Sequence, residues 1–275
     1  MTKDLLLGAI TKYKYSDIKN WVNSINRSGF TGDRMIIVSD VEDDVKRELK
    51  INGFDIIDYD ANDNIVVERF IYYWHILNSI RQKYRFVIAT DVSDVVFQRN
   101  PSEWLEFNLT HKSIVASSES IRYKDEAWGR NNLSVAFGQP IFNSIKDNVI
   151  NNAGVIAGHH DAVKDLFLNI YLSCGGSPRY VEGGGGPDQA AYNILLSLSH
   201  YKNNTYFAQS EEAWAAQCGT TVDPHKIDFY RQFLTEPQPE MHGDIVCNSE
   251  GEPFYLVHQY NRVPEWKAII NEKFK

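Results

Sequence analysis

Cysteine is scarce in this 275-residue chain: Cys174, Cys218 and Cys247 stand far apart, an odd number at no metal-ligand spacing. That excludes a disulfide framework and a structural zinc site, and the thiols are expected to be buried or incidental in a reducing compartment. No apolar run approaches the roughly 18 residues of a membrane-spanning helix. Met1-Thr2-Lys3-Asp4 leads directly into Leu5-Leu6-Leu7-Gly8-Ala9-Ile10, too short an apolar stretch for a secretion signal with its cleavage site, so a cytoplasmic location is expected. Without such a signal, the glycosylation sequons at Asn26, Asn108, Asn132 and Asn203 read as chance. Positive charge is in short supply: 28 Lys and Arg against 36 Asp and Glu leave a net charge of −8. Such a balance suits a nucleic-acid backbone poorly. Any phosphate must be met locally, by a helix end, a few basic side chains or a metal. There is no internal repeat, no long linker, and no low-complexity tract beyond the glycines at 183–186.

What is present is an ordinary globular composition, with 43% hydrophobic residues, enough to offset the entropy of ordering the chain. The first hundred residues alternate between two kinds of segment. Short apolar runs at Leu5–Ile10, Met35–Val38, Phe54–Tyr59 and Phe86–Ala89 predict buried strands. Between them, Ser16–Ile25, Glu42–Leu49 and Val66–Ile80 carry apolar residues at helical spacing, with Ser16 or Asp17 as the first N-cap. Strands alternating with helices predict an α/β fold around a mostly parallel sheet covered on both faces. Beyond Pro101 the pattern loosens. Strands are expected at Ser113–Ala116, Asn152–Gly158 and Phe254–His258, a polar stretch from Ser117 to Ser134, and helices at Asp161–Leu172, Asp188–Ser197 and Pro264–Phe274. One domain over 1–275 is expected.

The most informative stretch is Phe86-Val87-Ile88-Ala89-Thr90-Asp91-Val92-Ser93-Asp94-Val95-Val96-Phe97. An apolar strand runs into two carboxylates three apart. On an extended chain these would face opposite ways, so both reach one ligand only if the chain turns at Val92-Ser93. Ligands of open α/β sheets sit beyond the carboxyl ends of strands, and two acids there suit a hard divalent cation. The pair reads equally well as the cap of a turn.

Further along stand Ile10-Thr11 at the end of the first strand, Asn152-Ala153-Gly154-Val155, Gly186-Pro187-Asp188-Gln189 with Asn193 a turn later, and Val257-His258-Gln259-Tyr260. In this order and spacing, over about residues 5–262, the chain resembles the nucleotide-sugar-dependent glycosyltransferases of the GT-A fold. The resemblance implies a GT-A-like single domain with a Rossmann-like, nucleotide-binding half over about 1–100 and an acceptor-binding half over about 101–275. It implies Thr11 against the nucleotide base, Asp94 and His258 as metal ligands, and Asn152 and Gly154 beside the donor sugar. The usual motif has one residue between its acids; here there are two. Asp94 takes the metal-binding second place, and Asp91 faces the ribose or joins the metal's shell.

A metal bridging the diphosphate would neutralise the leaving group; mixed O/N ligation suits manganese slightly better than magnesium. Asp188 opens a helix, where a carboxylate is favoured and its pKa lowered. By the resemblance it is either the general base of an inverting enzyme or a group orienting sugar hydroxyls in a retaining one, the former slightly favoured. Arg69 either points at the donor or is a solvated helix charge. Trp128 either stacks on a sugar or packs, and the glycines at 183–186 either hinge over the donor or form a surface loop. His159-His160 is set aside because adjacent side chains diverge. The function implied is metal-dependent transfer from a nucleotide-diphosphate sugar, UDP being the most frequent nucleotide, to a hydroxyl of a glycan or small molecule. The alternatives are a catalytically idle relative that binds nucleotide sugars or glycans, and a metal-dependent phosphohydrolase or nuclease using Asp91 and Asp94.

Overall fold

The computed structural model describes residues 3–59, 65–175 and 185–275. The chain begins with β1 (Leu5–Thr11), α1 (Tyr15–Arg27), β2 (Asp33–Ser39), α2 (Asp43–Ile51), β3 (Phe54–Asp58), α3 (Ile65–Ser79) and β4 (Phe86–Thr90). A short β5 (Val95–Phe97) and α4 (Pro101–Asn108) follow. Next come β6 (Ile114–Arg122), α5 (Ala127–Phe137), α6 (Gln139–Ile145), β7 (Val149–His159) and α7 (His160–Cys174). The last part holds α8 (Asp188–Ser197), α9 (Ser199–Asn204), β8 (Thr205–Ala208) and β9 (Ala215–Gln217). It ends with α10 (Cys218–Thr221), α11 (Ile227–Tyr230), the hairpin β10 (Glu240–His242) and β11 (Ile245–Cys247), β12 (Leu256–His258) and α12 (Pro264–Lys273).

Seven strands form the central sheet, in the order β3-β2-β1-β4-β7-β6-β8. It is mostly parallel: only β7 runs antiparallel to its neighbours β4 and β6. The alternation of strand side chains builds two cores. Leu6 and Ile10 of β1 face one way, against Trp21 and Val22 of α1 and Leu49 of α2. Leu5 and Leu7 face the other, with Phe70 and Tyr73 of α3, Leu166 of α7 and Tyr192 of α8. The apolar spacing in α1 buries Ile18, Trp21, Val22 and Ile25 as predicted, although the helix starts one residue before Ser16. Lys14 is its N-cap, and Asp17 reaches back to accept the Lys14 N–H at 2.9 Å.

Beyond Pro101 the structure adds what periodicity did not predict. The strand expected to end at Ala116 runs on to Arg122, and α5 begins inside the expected polar stretch. A second sheet, β5-β12-β9, lies beyond the end of β4. In it His258 pairs with Val95 antiparallel and with Gln217 parallel. Asn132 is buried and donates to Gly186 O at 3.0 Å, so its sequon is closed to a glycan. The three cysteines are free and buried. No helix among the described residues is long and apolar enough to cross a membrane.

Candidate functional site: an acid–histidine cluster between two cavities

β4 is buried throughout and ends at Thr90, in the middle of the seven-stranded sheet. Asp91 follows, its N–H donating to Gly154 O of β7 at 2.8 Å. Val92 turns inward and is buried in the core, which makes the bend that two carboxylates three apart require. Asp94 then enters β5, and its carbonyl accepts the Gln259 N–H at 2.8 Å. Pairing of β5 with β12 brings His258 alongside. Its Nε2 lies 3.4 Å from Asp91 Oδ2 and 3.5 Å from Asp94 Oδ1.

These three side chains offer ligand atoms all within 4.8 Å of one another. His258 Nδ1 stands 2.8 Å from Gln217 Oε1, which makes Nδ1 a donor and turns Nε2 toward the carboxylates. That Nε2 is buried without a hydrogen-bond partner. An orphaned imidazole nitrogen beside two carboxylate oxygens is the donor set of a divalent cation, so the residues fit a metal. Burial would lower the His258 pKa, but Asp94 and Asp91 outweigh it and raise it to about 10. In the metal-free protein a proton therefore occupies the place a cation would take, and the two compete.

Gly154 makes the close approach possible. A Cβ there would meet His258 Cε1 at 2.4 Å, and Asn152 Oδ1 and Asp91 Oδ2 each at 2.8 Å. Asn152 of β7 accepts the Gly154 N–H at 2.6 Å and donates to Glu119 Oε1 at 2.7 Å.

Arg69 is buried on α3, not a solvated helix charge. Its Nη1 pairs with Asp91 Oδ1, and its Nη2 lies 3.3 Å from Asp188 Oδ2 and 3.4 Å from Ala153 O. Burial opposes ionisation of Asp91, yet Arg69 and His258 outweigh it and hold the carboxyl well below the usual range. Asp188, the first residue of α8, shows the reverse balance. Its helix position led us to expect a lowered pKa. Burial instead pushes it up to about 6, against Arg69 and the helix N–H groups and with Asp91 adding to the rise.

A cavity of about 290 Å³ lies on the β1 side, lined by Thr11, Tyr13, Arg69, Asp91, Ser93 and Asp94. A second, of about 380 Å³, lies beyond Asn152 and is lined by Glu119, Glu126, Trp128, Gln189, Gln259 and Arg262 among others. Trp128 is half-buried with its ring toward this cavity and toward Gly185, whose φ is +79°. Of the glycine run, Gly183 and Gly184 lie outside the described residues. His160 has a structural place: Nδ1 accepts the Tyr84 N–H and Nε2 meets Leu77 O, each at 3.2 Å, far from any cluster of ligands.

Sequence reasoning missed Glu119, Glu126 and Gln217. Glu119 is buried, accepts from both Asn152 and Gln189, and burial pushes its pKa to about 7, the Asn152 hydrogen bond opposing and Glu126 adding. The signal available was a lone acid between two apolar runs, Ile114–Ala116 and Ile121; its serine neighbours disguised it as surface. Gln217 carries no local signal, because its role exists only through the pairing of β9 with β12.

No family model matches the chain, and no curated protein matches it in sequence. Solved structures do match. The bifunctional glycosyltransferase WbbM superposes with a TM-score of 0.59 at 14% identity, over 94% of this chain and 45% of that one. The glycosyltransferase GlyE of Streptococcus pneumoniae gives 0.55 at 17% identity, over 100% of this chain and 64% of that one. The galactosyltransferase LgtC, solved with donor and acceptor sugar analogues, gives 0.53 at 12% identity, over 98% of this chain and 95% of that one. This chain thus spans less than two thirds of the first two. It has the GT-A glycosyltransferase fold.

Proposed function

We propose that this chain is a metal-dependent glycosyltransferase that moves a sugar from a nucleotide-diphosphate donor, with UDP as the nucleotide, to a hydroxyl of a glycan or small-molecule acceptor. The observation that carries the reading is the Asp91–Asp94–His258 cluster, set between two cavities at the strand ends of a GT-A fold. The cavity beside Thr11 is the place for the nucleoside. The one beyond Asn152 is the place for the sugar and acceptor. Asp94, His258 and Asp91 would hold manganese or magnesium, which when bound supplies charge neutralisation to the departing diphosphate.

The remaining work falls to the chain itself. Arg69 keeps Asp91 ionised and in place by a buried ion pair, and through Asp188 it ties the cluster to α8. Gly154, with no side chain, lets Asn152, Asp91 and His258 close around one point of β7, and Asn152 lines the cavity assigned to the sugar. Asp188, with a pKa near 6, is poised to accept a proton close to neutral pH, as the general base of an inverting transfer requires. Its ion pair with Arg69 supports the other role, orientation of sugar hydroxyls. The whole chain acts as one catalytic unit, nucleotide-binding over about 1–100 and acceptor-binding over about 101–275. Three buried thiols without disulfide partners among the described residues suit a cytoplasmic setting.

The test is a thermal shift with UDP, with and without Mn2+. A ligand at about 100 times its Kd adds about 2.7 kcal/mol, enough to raise the melting temperature by several degrees. Asp94→Ala should abolish the Mn2+-dependent part, and His258→Ala should weaken it less, since one ligand of about six is lost. Absence of any shift with nucleoside diphosphates would end the donor assignment, and unchanged Mn2+ affinity in Asp94→Ala would reject the metal site.

A further inference from the structure

The geometry points to Glu119 as a positioning residue: one of its carboxyl oxygens holds the NH2 ends of the Asn152 and Gln189 amides along the wall of the sugar cavity and so orders the donor sugar for transfer. The role rests on the transferase reading above and deepens it.

The backbone delivers Glu119 to this place by breaking a strand. β6 pairs regularly with β7 through Ala116. The register then shifts between Ala116 and Ser117, and again between Ser118 and Arg122. Ser120, inside the second irregularity, has φ +56°, a region that residues with a Cβ disfavour. It is held there from both sides: Ser118 Oγ accepts its N–H at 2.9 Å, and the Thr235 N–H donates to its carbonyl at 2.8 Å. Bulges beside functional sites serve to re-aim a side chain. Here the side chain is an acid, and it turns into the interior, 8% exposed, where it accepts from two side-chain amides.

The hydrogen bonds leave little freedom in how those amides sit. The Gly154 N–H binds Asn152 Oδ1 at 2.6 Å, so Nδ2 must face away, toward Glu119 Oε1 at 2.7 Å. The Ala153 N–H binds Gln189 Oε1 at 3.3 Å, so Nε2 faces the same Glu119 oxygen at 3.0 Å. Two consecutive backbone donors of β7 thus assign both amides, and one carboxylate oxygen receives both. Asn152 belongs to β7 and Gln189 to the first turn of α8, next to Asp188. Glu119 is the group through which a third element, β6, brackets them. Glu119 Oε1 accepts both amide N–H groups, while the two backbone donors are already taken by the amide oxygens.

The experiment separates the position of the acceptor from its charge. Glu119→Asp keeps the charge but withdraws the oxygen by about 1.5 Å, one carbon–carbon bond. Glu119→Gln removes the charge but leaves an oxygen in reach. Kinetics on the full chain with Mn2+ and a nucleotide sugar should give kcat at least tenfold lower in the Asp variant than in the Gln variant, since misplacement by about 1 Å costs up to about 100-fold. The Kd of UDP with Mn2+ should stay within twofold in both, which a general loss of structure would not allow. A kcat for the Asp variant equal to or above that of the Gln variant overturns the proposal.

Side-chain amide NMR supplies a readout that needs no turnover. In the wild type, the Asn152 and Gln189 NH2 protons, assigned through Asn152→Ala and Gln189→Ala, should exchange slowly with solvent. Both signals should shift in Glu119→Asp. Free exchange at either amide in the wild type overturns the bracket even if the Asp variant does not fold. A wild type that turns over no nucleotide sugar would sink the transferase reading, and the amide signals alone would then decide the bracket.

Discussion

Asp91 and Asp94 share a side chain and differ in company. Asp91 is clamped by Arg69 and approached by His258, while Asp94 meets the same histidine and is tied through its carbonyl to Gln259, just after β12. Asp188 is set apart by burial, which leaves its proton affinity high enough to work near neutrality. Asp188→Asn keeps the shape of the helix start and cannot take a proton. If Asp188 is the base, kcat falls by about 10²–10⁴ while UDP and Mn2+ binding hardly changes. If it orients the acceptor, the acceptor KM rises and much of kcat survives. Wild-type values for both constants would remove Asp188 from the site. The configuration of the product, read by NMR, is an independent check on the single-displacement route.

At the scale of elements, β7 is the strand on which the site converges. Its residues Asn152 to Gly154 touch β4, β6, α3, α8 and β12 through side-chain or backbone contacts. Within it Gly154 is the point of tightest approach. Gly154→Ala would place a methyl group against the His258 ring and two oxygens at once, and the ring cannot retreat without breaking its contact with Gln217. The expected outcome is a folded protein, slightly less stable, whose Mn2+-dependent UDP affinity drops at least tenfold. Calorimetric titration at matched protein concentration measures this, and an affinity within twofold of wild type would show that the cluster has slack. The other decisive element is the bulged end of β6. Its Ser-Ser-Glu-Ser run reads as solvent-facing polar chain, yet Ser117, Glu119 and Ser120 are buried, because the two register shifts of β6 turn it inward.

Over the whole molecule, the buried acids couple the site to stability. The Glu119 pKa rises from the ordinary 4.5 to about 7 on folding because burial disfavours the anion. Between those values the folded state keeps a proton the unfolded chain has lost, so stability contributed below pH 4.5 declines as pH rises to about 7. Asp188 acts in the same direction between 3.8 and about 6. Asp91, with its lowered pKa, acts oppositely, and only in acid below the ordinary carboxylate range. In the presence of a chelator, the melting temperature of Glu119→Gln should match the wild type near pH 5 and exceed it by a few degrees at pH 8. Parallel curves across that range would show that Glu119 stays ionised throughout.

The strand–helix alternation of the first hundred residues was legible because burial on a sheet and on a helix imposes different apolar periods, and β1 to β4 carry those periods undisturbed. Asn152, Gly154 and His258 entered through the resemblance alone, while Asp91 and Asp94 were legible as two carboxylates at the end of an apolar run and Asp188 as the start of a helix. Their division of labour was not. Arg69 read either as a residue pointing at the donor or as a solvated helix charge, and packing places it between two carboxylates. Asp188 was expected to be acidified by its helix, and burial among other acids reversed the direction. Glu119 and Gln217 gained their roles only through strand pairing and a bulge. A chain by itself specifies which residues are apolar, and hence which segments must meet. The distances among charges, and the solvent removed from around them, come into being only when those segments have met, and they decide what each charge does.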